Sequence, residues 1–196
     1  SGFIMKKFAS RGIFYGTRNV ITSMNVSSEY LGDYNTIGSN HSMIGIYQMA
    51  KSIEPVTKHL LKKNFIDRIF LNGRNARVVD PLTRKQKIIR VSNDTYDRWV
   101  SVEGIGKIIN ELEYPEDRHK PVKIEGNYAA LIYEDGKSFK LLFDIDDLPE
   151  GFDKKFVRPI SKVEMIHISG YTEWEKYPLW ITRYPAIEMG STYPSI

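Results

Sequence analysis

The sequence has no cysteine. That excludes disulfides, thiolate metal sites and cysteine nucleophiles, and it suits a reducing compartment. Long apolar runs are also missing. The longest, such as Ala129–Tyr133 and Leu141–Phe143, fall far below the roughly 20 residues of a membrane span. No extended apolar core follows Lys6 and Lys7, so no signal peptide is expected. His41, His59, His119 and His167 are scattered, with no pair at metal-ligand spacing. No serine sits in a nucleophile elbow, and no Walker-type phosphate loop occurs. A self-contained hydrolase is therefore not supported, and no repeat or low-complexity segment is found.

What is present is an ordinary globular composition. The 196 residues are 41% apolar and 27% charged, enough for a packed core. Opening on Ser1-Gly2 and closing on Tyr193-Pro194-Ser195-Ile196, the chain reads as an excised or truncated piece. The net charge of +4 gives only a lean toward a polyanion, but the distribution is uneven. Residues 51–90 carry eleven Lys or Arg against Glu54, Asp67 and Asp80, while 111–117 and 144–153 are acidic. A solvated surface of uneven charge explains this equally well.

Residues 3–26 have the composition of strand–turn–strand, and 27–38 that of a loop. Ile46, Met49, Ala50, Ile53, Val56, Leu60 and Leu61 predict a helical segment over about 41–64, capped by Ser39 or Asn40. Pro55 predicts a break there, or a second helix opening at Glu54-Pro55. Ala76–Val79 and Lys87–Ser92 suggest a hairpin around Asp80-Pro81-Leu82-Thr83. Residues 101–113 look helical, although Gly104 and Gly106 weaken the pattern. Asn127–Glu134 and Lys137–Asp144 form the clearest hairpin, around Asp135-Gly136. Residues 147–155 read as loop, 156–169 as extended or mixed, and 178–184 as a short strand. The fold class is α+β, with several short strands inserted between the ends.

Two candidate chemistries follow from the residues. On a strand, Asp144 and Asp146 would share a face and could hold Mg²⁺ with substrate phosphates. A strand running into a polar turn before Pro149 is the stronger reading, since Asp is common at turns. Aromatic and basic residues interleave at Phe14–Arg18, at Tyr96–Trp99 and at Trp180–Tyr184, a pattern suited to phosphate pairing and base stacking. For the middle stretch, a buried ring beside a surface cation is preferred.

Residues 6–22, Lys-Lys-Phe-Ala-Ser-Arg-Gly-Ile-Phe-Tyr-Gly-Thr-Arg-Asn-Val-Ile-Thr, resemble a segment of the catalytic β′-type subunit of multisubunit DNA-dependent RNA polymerases. Residues 46–64 are similar to the family's next helical stretch, at Ile46, Met49, Ala50, Ile53, Glu54 and Pro55. Tyr177–Pro185 resembles the family segment in which an Arg and a Pro follow an apolar strand, placing Arg183 and Pro185 on them. The three segments stand in the family's order and cover about 55 residues.

The resemblance implies partial double-psi-type barrel strands at both ends, 1–65 and 171–196, around an inserted α+β lobe with β-hairpins at 66–170. It implies that Lys7, Arg11 and Arg18 lie near template DNA, and that Arg183 and Pro185 lie at the incoming nucleotide. Implied partners are other polymerase subunits or the rest of the same polypeptide, with DNA and nucleotides, in a phage-infected cytoplasm or a virion and without a membrane. The family's Asp-rich Mg²⁺ loop is not found after Arg183, and Thr182 replaces the family's Asn. Asp144 and Asp146 precede Arg183, so they cannot be that loop. Mg²⁺ is expected in the full assembly and not on this chain alone. The other readings are a non-enzymatic viral structural or nucleic-acid-binding protein, and a phosphoryl-transfer enzyme centred on Asp144 and Asp146.

Overall fold

A computed structural model describes residues 44–174 and 176, and the backbone of 179–182 and 192–195. The chain is α+β, with antiparallel sheets, and no sheet among the described residues closes into a barrel. Two compact units divide it: residues 53–170, and the two ends, 1–52 with 171–196.

In the unit formed by the ends, helix α1 (Ile46–Ser52) buries Met49, Ala50 and Ser52, and the Ser52 hydroxyl donates to the Gln48 carbonyl at 2.7 Å. Strands β9 (Leu179–Thr182) and β10 (Thr192–Ser195) pair antiparallel, with Thr182 opposite Thr192.

The central unit opens at the break that Pro55 predicts. Ile53 leaves helical geometry (φ −118°), and α2 (Glu54–Leu61) starts with Pro55 in its first turn. The helix then widens into a π turn, Lys62–Ile66, before a last turn at Asp67–Ile69, termed α3. Leu61, Phe65, Ile66 and Ile69 on this run are fully buried.

A five-stranded sheet follows, built from β1 (Phe70–Asn72), β2 (Asn75–Val79), β3 (Gln86–Arg90), β4 (Lys123–Ile124) and β5 (Asn127–Tyr128). The β2–β3 loop turns on Asp80. Its Oδ1 accepts from the Leu82 and Thr83 amides and its Oδ2 from Lys87 at 2.8 Å, which holds the carboxyl well below the usual range. Between β3 and β4 lie α4 (Asn93–Val100), α5 (Val102–Asn110) and α6 (Pro115–Arg118). Helix α4 lies outside the sequence expectation. Its signal is the Ser92 N-cap, whose Oγ accepts from the Thr95 amide.

The 127–144 hairpin differs from expectation at both ends. Asn127–Glu134 is not one strand. Asn127 and Tyr128 join the five-stranded sheet, and the chain shifts at Ala129-Ala130. Then β6 (Leu131–Glu134) pairs with β7 (Phe139–Leu142) and β8 (Val157–Pro159) in a second sheet. The turn also slides by one residue. Gly136 (φ +84°) and Lys137 occupy its centre, and Asp135 accepts from the Lys137 and Ser138 amides. Between the sheets, Val79, Leu131, Tyr133, Leu142, Ile145 and Val157 pack as one core cluster. Within the 147–155 loop, a 3₁₀ turn begins at Lys154.

Residues 156–169 are not extended. After β8, helix α7 runs from Lys162 to Trp174. It opens on a capping box: Ser161 Oγ accepts from the Glu164 amide at 3.4 Å, and the Glu164 carboxylate accepts the Ser161 amide at 2.8 Å and its hydroxyl at 2.7 Å. Ser161→Ala is expected to cost about 1 kcal/mol, read as a lower thermal midpoint. An unchanged midpoint would remove the box from the account of this helix.

Candidate functional site

The strand expected to align Asp144 with Asp146 ends at Leu142. Asp144 instead caps a 3₁₀ turn, Ile145–Asp147. Its Oδ1 accepts from the Asp146 amide at 2.8 Å and its Oδ2 from the Gln86 amide at 2.7 Å. Partial burial alone would raise its pKa; the two amides and the nearby Lys85 outweigh that and lower it. Asp146 faces Lys85 at 3.0 Å and Lys154 at 4.0 Å. One carboxylate accepts from amides and the other faces ammonium groups, so the two do not share a strand face as the spacing suggested. Among the described residues no group of three or more His, Asp or Glu gathers in a metal-holding arrangement.

Four of the eleven cations in 51–90 pair with carboxylates, one of which comes from outside the stretch. Glu54 takes Lys58, Asp67 takes Lys62, Asp80 takes Lys87 and Asp146 takes Lys85. Arg84 donates to the Val157 carbonyl and Arg74 to Asn93. The Tyr96–Trp99 stretch agrees with the preferred reading: Trp99 is buried and Arg98 pairs with Glu111 at 2.5 Å on the surface.

Sequence reasoning did not single out the cleft of about 280 Å³ lined by Thr95, Arg98, Trp99, Glu111, Glu125 and Lys162, among others. Its residues come from three distant stretches, and no local motif joins them. Glu111 bridges Arg98 and Lys162. Glu125 accepts the Ser92 amide, the main cause of its lowered pKa.

Lys7, Arg11, Arg18, Arg183, Pro185 and His41 lie outside the described residues, and Arg183 directly follows β9. Among the described residues, no helix is long and apolar enough to cross a membrane. Compared with known proteins, the chain matches no family model, no curated protein and no solved structure.

Proposed function

We propose that the chain is a β′-like part of a divergent, viral DNA-dependent RNA polymerase. The observation that carries this reading is the order of three segments, 6–22, 46–64 and 177–185, which follows the family's order. A strand at Leu179–Thr182 leading into Arg183, and a partner strand at Thr192–Ser195, suit a barrel-type hairpin there. In this reading Lys7, Arg11 and Arg18 contact template backbone, and Arg183 beside Pro185 contacts the nucleotide sugar. Residues 66–170 are then a lineage-specific insertion. The reaction is nucleotidyl transfer by the assembly, with Mg²⁺ held by carboxylates from another part of the polymerase.

Arg183→Glu in the assembled polymerase is expected to abolish transcript synthesis, since it reverses the charge offered to the nucleotide. Normal runoff transcription by that variant would sink the assignment. The pairing of four of the eleven cations in 51–90 with carboxylates suits the second reading, a non-enzymatic viral structural or nucleic-acid-binding protein. An Asp-x-Asp-x-Asp stretch downstream of Ile196 in the gene would decide for the polymerase.

A further inference from the structure

Arg68 and Arg77 differ from the neutralised cations around them. Neither side chain makes a hydrogen bond or ion pair with any described residue, and Arg77 Nε is buried without an acceptor. Both sit on one ring. The guanidinium carbon of Arg68 is 4.8 Å from the Phe143 centroid, and that of Arg77 is 5.6 Å from it. The two charges are thus within about one Debye length of each other, roughly 10 Å at 0.1 M salt. The acids that could answer them are occupied. Asp67 holds Lys62 at 2.5 Å, Asp80 holds Lys87, and Asp144 holds two amides.

The ring beneath them is fixed. Phe143 is buried and leans on Phe65, with centroids 6.5 Å apart. Phe65 belongs to the π turn Lys62–Ile66, which delivers the chain to Arg68. Such turns are frequent at functional sites because they re-aim the residues around them. The ring face attracts each guanidinium, and the pair still repels. An anion with several acceptor oxygens would relieve the repulsion.

The surroundings point to the kind of anion. Directly across from Arg77 in the β2–β3 pair is Ile88, which is 62% exposed. Two residues further along the same face is Arg90, also exposed and without a described partner. Guanidinium forks match phosphate oxygens, and an apolar surface between them suits a base. We propose that Arg68 and Arg77 on Phe143, continued by Ile88 and Arg90, bind the phosphate backbone of single-stranded nucleic acid. The proposal uses none of Arg11, Arg18 and Arg183, so either reading can fail without the other.

The test is fluorescence anisotropy of a labelled oligothymidylate with the full chain across a sodium chloride series. Replacing both arginines (R68Q/R77Q) is expected to weaken binding at least about ten-fold at low salt. It should also flatten the log–log salt slope by about 1.4, at roughly 0.7 per phosphate contact on a single strand. Arg68→Gln alone, at an exposed position, should flatten it by about half as much. That single variant decides the matter if the double one melts early. Unchanged affinity and slope in Arg68→Gln, with a wild-type melting curve, would overturn the proposal. So would the absence of oligonucleotide binding by the wild-type chain at low salt, or equally tight binding of poly-glutamate.

Discussion

Gly104→Ala is expected to destabilise the central unit by about 2–3 kcal/mol, read as a lower urea midpoint at unchanged slope. Helices α4 and α5 meet at Ser101, which ends one and caps the other. Its amide donates to the Asp97 carbonyl at 3.1 Å, and its Oγ accepts from the Gly104 amide at 3.0 Å. The corner is so tight that a Cβ on Gly104 would lie 2.2 Å from the Arg98 carbonyl oxygen and 2.6 Å from that of Asp97. Those are backbone atoms of the preceding helix and cannot rotate aside. Alanine gains about 1 kcal/mol of helix propensity over glycine, too little to offset the clash. Gly106 supplies the control. A Cβ there meets the ammonium end of Lys58 at 2.9 Å, the far end of a flexible side chain that can shift about its pairing with Glu54. Gly106→Ala should therefore be neutral or up to about 1 kcal/mol more stable. Equal losses at the two positions would refute this account of the corner.

Phe65→Ala should be costlier, about 3–5 kcal/mol. The ring is fully buried, beside Leu61, Ile66 and Ile69 on the same run, and it supports Phe143. Truncation leaves a cavity under a ring that itself carries two cations. Phe65→Leu should recover much of the loss by refilling the space. Urea titrations of the three proteins provide the comparison. A loss below about 1 kcal/mol for Phe65→Ala would mean that the surrounding helices collapse onto the gap, against the usual behaviour of packed cores.

Where the fold is set by neighbours in sequence, the residues announce it. The periodicity from Ile46 to Leu61 and the break near Pro55 are local facts, and both hold. So do the Asp80 turn and the apolar face of Val102–Asn110, three of whose residues, Ile105, Ile108 and Ile109, are buried. Gly104 counted against that helix as a weak former; its actual role, space for a carbonyl, depends on the preceding helix. The division of Asn127–Glu134 between two sheets depends on strand partners far away in the chain, which a pattern of alternating residues cannot display. Helix Lys162–Trp174 had a readable start in Ser161-x-x-Glu164. Its β-branched Val163, Ile166 and Ile168 gave the stretch the look of a strand. The candidate carboxylates illustrate the same limit. Asp144 and Asp146 are spaced for one face of a strand, and a single 3₁₀ turn undoes that alignment. Arg68, Arg77 and Phe143 come from a helix end, a strand and the residue after a strand, so no spacing rule joins them.

The shift at Ala129-Ala130 has a consequence for how the central unit opens. The Ala129 amide donates to Val122, the Ile160 amide to Ala130, and the Val122 amide to Ile160. These three bonds stitch the two sheets along one seam, with both alanines fully buried. Peeling either sheet away breaks bonds that order the other. Opening one sheet alone therefore forfeits bonds shared with the other, which couples the opening of the two.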